Sequence, residues 1–159
     1  MKKRHFGVRA FAVLLAVASL VAACASTPEA SLERDAEAKG FHTHPGWSAI
    51  YVYRPDFGSG DSNSDVVVFM GNRLVGSILR QTYFRIDAEP GVHWLHGYAQ
   101  DQGNLRLETR PGEVYFVELR AHSDQSHYRH MESGTGKQTL LQCCGLLENW
   151  APGQRPLLR

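Results

Sequence analysis

Histidines and cysteines are the residues of this chain whose types suit chemistry. Seven histidines follow residue 40: His42, His44, His93, His96, His122, His127 and His130. His42 and His44 have the spacing that lets alternate residues of an extended chain share a metal. They precede Pro45 in a loop-like stretch, however, with no carboxylate or thiolate nearby to complete three or four ligands. His93 and His96 are an odd number of residues apart and face opposite ways on a strand, and His127 and His130 share that defect unless they are helical. Scattered surface histidines are the expectation, and no metal ligand is assigned.

Other chemical patterns are incomplete. Asp61-Ser62-Asn63-Ser64-Asp65 offers oxygens at alternating positions, as a calcium loop does, but Val66 stands where that loop needs glycine and Asn72 where it needs a bidentate glutamate. The stretch is expected to be a flexible connection between strands. Gly134-Thr135-Gly136-Lys137 lacks the first glycine of a phosphate loop and carries Gln138 in place of Ser or Thr. No GxSxG elbow exists, and no nucleophile pairs with a base. No catalytic or cofactor-binding residue is therefore assigned, no cofactor is implied, and the chain is not expected to be an enzyme.

The amino terminus says where the protein resides. Lys2, Lys3, Arg4 and Arg9 lead into an uncharged run from Ala10 to Ala23. A membrane-crossing helix needs about 20 apolar residues, so this run matches an export signal, expected over residues 1–23. Val21-Ala22-Ala23-Cys24 looks like a bacterial lipobox, in which small residues precede a cysteine that becomes the mature N-terminus. That resemblance implies acylation of the Cys24 thiol and of the freed amine, hence a palmitate-type lipid anchor in a membrane. Two or more acyl chains hold a protein stably. Ala25 and Ser26 follow, rather than the aspartate associated with inner-membrane retention. The outer membrane is thus favoured over the inner, with the domain facing the periplasm.

Removing the signal takes four basic residues and shifts formal net charge from +1 to −3, with 13 basic against 16 acidic residues. A nucleic-acid partner is not expected from that balance. Residues 24–45 are polar and alanine-rich, with Leu32 as the one large apolar side chain of the short helix they could form. They read as a lipid-anchored tether, mobile or marginally helical, with Ser26 and Glu29 as a capping box and Gly40 as a C-cap.

The elements that must position any site lie in residues 46–150, with a tail at 151–159. SAIYVYR, DVVVFM, RLVGSIL, TYFRI, VHWLHGYA, LRLET and EVYFVELR are short, rich in β-branched and aromatic residues, and separated by turns. They predict a mostly β fold, a small β-sandwich or partly open barrel of about seven strands, with a short C-terminal helix. Gly71-Asn72 signals a two-residue hairpin, while Pro90-Gly91 and Pro111-Gly112 signal type II turns before strands. Val92, Trp94, His96 and Tyr98 share one face, taken as the core face, and Tyr115, Val117 and Leu119 share another. IYVY and VVVF alternate only partly, as central strands covered on both sides do.

The series Ile50-Tyr51-Val52-Tyr53-Arg54-Pro55, Gly71-Asn72-Arg73-Leu74-Val75-Gly76, Thr82-Tyr83-Phe84-Arg85-Ile86, Glu89-Pro90-Gly91-Val92-His93 and Pro111-Gly112-Glu113-Val114-Tyr115-Phe116 resembles a bacterial envelope lipoprotein family. That family carries a conserved domain of unknown function. The resemblance covers about residues 47–145 and implies a compact β domain with no catalytic residues to carry over. A non-enzymatic binding or structural module for an envelope protein or glycan is expected. The alternatives are a periplasmic metal-binding or stress-sensing protein using its histidines, and an unrecognised hydrolase.

If Cys24 is consumed by lipid, Cys143 and Cys144 can bond within the chain only to each other. Adjacent Cα atoms lie about 3.8 Å apart, whereas relaxed disulfides span about 4.4–6.8 Å, so two free thiols are expected. Thr135 with Gln138 as a capping box, and Leu140, Cys144 and Leu147 at helical spacing, place the pair on an amphipathic helix. Cys144 then faces the core and Cys143 its flank. Gly145 counts against that helix, and a strand there is the alternative.

Overall fold

The computed structural model describes residues 27–58, 61, 62, 64–97, 103–122 and 125–148. The expected export signal at 1–23, Cys24, Ser26, Tyr98 and the tail at 151–159 lie outside these residues. Nine strands form two sheets: β1 (Ser48–Arg54), β2 (Val66–Met70), β3 (Arg73–Ile78), β4 (Thr82–Ala88), β5 (Gly91–His96), β6 (Leu105–Thr109), β7 (Val114–His122), β8 (Gln125–Met131) and β9 (Gly145–Leu146). Helix α1 (Leu32–Ala38) precedes β1, and helix α2 (Ser133–Cys143) lies between β8 and β9. The first sheet has the order β8-β7-β1-β4-β9 and the second β3-β2-β5-β6. The fold is therefore mostly β, in two sheets and not a closed barrel, and the C-terminal helix is present.

All seven expected strands occur. β8 and β9 are additional: β8 pairs antiparallel with β7, and β9 pairs parallel with β4. In β8, QSHYRHM, Tyr128 and Met131 are the large apolar side chains, so pairing to β7 rather than its own pattern makes it a strand. Gly71 and Asn72 close the β2–β3 hairpin, with Met70 opposite Arg73 and Gly71 at φ 58°. Gly112, at φ 76°, supplies the positive φ that a type II turn needs before β7, whereas Gly91 lies at φ 147°, outside that geometry.

The main core lies between the sheets. Ile50, Val52, Phe84, Ile86, Tyr115, Val117 and Leu119 of the first sheet meet Val68, Val75, Ile78, Leu95 and Leu107 of the second. Tyr115, Val117 and Leu119 thus share the face the alternation predicted. Gly76, on β3, has φ 153°, and a Cβ there would lie 2.7 Å from the Phe84 ring, so glycine is required for the close approach of the two sheets.

A second core covers the other face of the first sheet. Tyr51, Tyr53, Tyr83 and Phe116 pack there with Ala38 of α1 and Leu140 of α2. Tyr51 stacks on Phe116 at 5.5 Å between centroids and on Tyr83 at 5.9 Å. β1 is consequently buried at every position, as partial alternation predicted, whereas β2 is buried only at Val68.

Several sequence expectations are corrected. Trp94 is 50% exposed, not core; the β5 faces alternate as expected, but the buried residue is Leu95. The described part of the tether, residues 27–45, packs on the domain. Ser31, not Ser26, caps α1 by accepting from Arg34 N–H, and Lys39, not Gly40, is the C-cap. Leu32 is exposed, but Ala38 is fully buried and the Phe41 ring packs on Tyr51 at 5.1 Å and on Phe116 at 5.5 Å. Polar contacts add to this: Leu146 N–H donates to the Asp35 carboxylate at 2.9 Å, Tyr51 O–H donates to the Ala38 carbonyl, and Arg34 pairs with Glu148. One alanine and one phenylalanine make no periodic apolar stripe to read.

At the C-terminus, α2 begins earlier than expected, with the Glu132 carboxylate accepting from Gly134 and Thr135 N–H. It ends at Cys143, and Cys144 turns extended at φ −131°, ψ 139°, leading into β9, so the strand alternative holds after the helix. Cys144 is buried, as expected, but Cys143 and Cys144 are joined as a vicinal disulfide across a Cα separation of 3.7 Å, not two free thiols. The helix stops between them, so their side chains do not take the divergent directions two helical neighbours would.

Candidate functional site

The two outer faces of this sandwich differ. Both described helices lie on the first sheet, α1 beside β9 and α2 beside β7. The outer face of the second sheet has neither. Register places Phe69 opposite both His96 and Leu74, Trp94 opposite Arg106, and Val92 opposite Glu108. Since Val68, Met70 and Leu95 point into the core, these partners point outward. Three large apolar side chains stand out there: Trp94 at 50%, Val92 at 47% and Leu74 at 44% exposure. Phe69 and His96 stack nearly parallel, 5.3 Å between centroids. A salt bridge between Arg106 and Glu108 runs along β6 at 3.7 Å.

A cleft of about 450 Å³ opens at the rim of that face, lined among others by Trp47, Arg73, Glu89, Val92, His93 and Trp94. It exists because β2 stops short. Gly71 N–H donates to the Trp94 carbonyl at 2.7 Å and the hairpin turns there, leaving the first residues of β5 without a β2 neighbour. Trp47 is placed by the turn before β7, with Gly112 N–H donating to its carbonyl. The His93 ring bonds the Glu89 carbonyl at 2.8 Å, bracing the floor across the Pro90-Gly91 turn.

Asp87 also borders the cleft, but Arg85 holds its carboxylate at 3.0 Å with both side chains almost fully buried. His44 lies 3.6 Å from the same carboxylate. Arg85 further donates to the His42 carbonyl, so the His42–His44 loop is tied to β4 as structure. The exposed carboxylate of the cleft is Glu89. Its size and its mixture of indole, guanidinium and carboxylate suit a ligand with apolar and polar parts.

Of the remaining histidines, His122 and His127 border one concavity and the others lie apart. His93 and His96 sit on opposite faces of β5, while His127 and His130 sit on β8, at the far edge of the other sheet. Among the described residues, no group of three His, Cys, Asp or Glu converges as metal ligands would. A shallower concavity of about 320 Å³ includes Phe57, Asp61, Arg120, His122 and His127, with the Arg120 guanidinium over the Phe57 ring at 4.0 Å. Asp61, the first residue of the calcium-like stretch, is turned inward to Arg54 and Arg80.

Sequence reasoning missed this cleft because it placed Trp94 inside. The signal that could have found it is that Met70-Gly71-Asn72-Arg73 ends β2 before β5 is covered.

An uncharacterized protein of Haemophilus influenzae is 28% identical over 108 residues, which are 67% of this chain and 63% of that protein. The chain thus spans less than two thirds of the length of that relative. No protein-family model matches the chain, and no solved structure matches it.

Proposed function

We propose that this protein is a lipid-anchored, non-enzymatic binding module of the bacterial cell envelope. In this reading Cys24 carries the lipid, the domain faces the periplasm from the outer membrane, and the cleft between Trp47 and Trp94 receives an envelope protein or glycan. The observation that carries the binding role is the cleft itself: a half-exposed indole beside Val92, with Arg73 and Glu89 at the margin of an uncovered sheet face. Exposed apolar area of this kind, rimmed by polar groups, marks interaction sites. Aromatic and arginine side chains are the ones that supply binding energy when covered.

The lipid anchor is supported by the basic start, the apolar run and the small residues before Cys24. Photo-crosslinking in intact cells tests the binding site. A photoreactive residue at Glu89 should give a defined adduct that Trp47→Ala abolishes, and the same residue at Gln142 in α2 should give none. No adduct at Glu89, or equal adducts at both positions, overturns the assignment of the cleft.

A further inference from the structure

Thr27 is buried at the open edge of β3, where Ser77 N–H donates to its hydroxyl at 2.9 Å. It also lies against Gly76. Beyond it, Ala30 N–H donates to the Leu146 carbonyl and Glu148 N–H to the Pro28 carbonyl, so the chain from Thr27 onward is fastened along β9. The polar stretch after Cys24 is therefore no long spacer. Only two residues, Ala25 and Ser26, separate Cys24 from Thr27, and the three Cα–Cα steps between them span at most about 11 Å. On the reading that Cys24 is acylated, the bilayer surface must lie within that reach of the β3 edge.

β3 is the outermost strand of the sheet whose outer face is bare. Leu74 is three residues from Ser77 on it, about 10 Å away along the strand. Phe69, Trp94 and Val92 continue the apolar surface across β2 and β5. Thr27 thus sits at the edge where β3 and β9 adjoin, and the apolar face of the second sheet begins at that edge with Leu74.

We infer that the outer face of β3-β2-β5-β6 rests on the lipid bilayer, with Trp94 at the headgroup level and Leu74 and Val92 against the acyl boundary. Indole rings favour that level because one end is apolar and the N–H stays wet. Arg106, opposite Trp94 on β6, suits headgroup phosphates, since long cationic side chains bury their stems and keep the charge at the interface. Leu32 and Leu141, the other strongly exposed apolar residues, belong to the helices. This orientation rests on the proposed lipid anchor. It also puts Trp94 and Val92, on one side of the cleft, against lipid, so a partner enters the cleft at the membrane surface from the side of Trp47 and Glu89.

The test uses the full mature protein purified from membranes, with acylation of Cys24 verified by intact mass, reconstituted into vesicles with and without lipids brominated near the headgroup end of their chains. Trp47→Phe and Trp150→Phe leave Trp94 as the reporter. A second protein, with all three tryptophans replaced by phenylalanine and Leu141→Trp, reports from the helical layer. The expected result is a blue shift of Trp94 emission on reconstitution and its loss in brominated vesicles, with neither for residue 141. Acylated protein whose Trp94 emission is insensitive to bromine overturns the orientation and leaves the anchor standing. A blue shift without bromine quenching shows that a second copy or another protein covers the face, which also overturns it. A mature protein without lipid on Cys24 overturns the anchor and the orientation together.

Discussion

The Arg54 guanidinium, fully buried at the end of β1, donates to the Asp61 carboxylate at 3.2 Å. It also donates to the Ser64 carbonyl at 2.7 Å and to the Ser62 carbonyl. The same carboxylate accepts from Ala121 N–H on β7 at 3.1 Å. Arg80 adds a second cation 3.6 Å from Asp61, bonds to the Asp61 and Ser62 carbonyls, and pairs with Asp56. Two arginines thus close the β1–β2 connection over the end of the sandwich, in the place where a flexible loop was expected.

Arg54→Met should therefore destabilise the domain by about 3–5 kcal/mol, because it leaves a buried carboxylate short of its main partner and takes the donor from the Ser64 carbonyl. The urea midpoint measures this. Calcium should not raise the midpoint of the unaltered protein, since the Asp61 oxygens are already committed to arginine and to Ala121 N–H.

Trp94 and Phe84 should respond to truncation in opposite ways. Trp94→Ala removes a half-exposed ring from an outer face and should cost about 1 kcal/mol. Phe84→Ala opens a cavity between the sheets and should cost about 3–5 kcal/mol. Equal shifts in the urea midpoint would refute the placement of the two rings.

What was legible in the sequence follows from which forces leave a pattern. Strands β1 to β7 carry runs of β-branched and aromatic residues, and the Gly71-Asn72 hairpin and Pro111-Gly112 turn need backbone angles that glycine provides, so these could be read. β9 has two residues and exists because Thr82 and Tyr83 pair with it, a tertiary cause with no local sign. Alternation in β5 separated Trp94 from Leu95 but could not say which face looks inward, and the larger ring was assigned to the core. The candidate cleft was hidden by that same inversion, since it depends on Trp94 lying outside and on where β2 ends relative to β5. The segment before β1 was misread because its apolar burial falls on Ala38 and Phe41, too few for a periodic stripe, and Ser31, Asp35 and Arg34 hold the rest through polar contacts.

The Cys143–Cys144 bond predicts a specific alkylation pattern. Native protein treated with an alkylating reagent without reductant should gain no label at either cysteine, and reduction before alkylation under unfolding conditions should add two. Intact mass decides between this and two free thiols. Replacing both residues with serine should also lower stability, since Cys144 is buried against the second core beside Tyr53 and Tyr83 and a serine hydroxyl there needs a partner.

The second core predicts the behaviour of the protein in alkali. Burial pushes the Tyr51 phenol up to about 12, although the nearby Arg85 works against it. Burial likewise raises Tyr53 to about 12, helped by the Glu118 carboxylate, and Tyr83 is raised further by burial and by Asp35. A free tyrosine ionises near 10. Between pH 10 and 12 the unfolded chain therefore loses phenolic protons that the folded chain keeps, and ionisation favours unfolding. The stability these residues contribute is complete below pH 10; that of Tyr51 and Tyr53 is lost as pH rises through about 12, and that of Tyr83 at higher pH still. Tyrosinate absorbance should accordingly rise in two stages, an early one from exposed phenols and a late one coincident with loss of the β-sheet circular dichroism signal. Tyr51→Phe should keep the ring stack with Phe116 but lose the bond to the Ala38 carbonyl, so α1 should loosen while the late stage shrinks by one phenol. A single smooth titration near pH 10 with the circular dichroism unchanged would show that the three tyrosines are not buried between the first sheet and the helices.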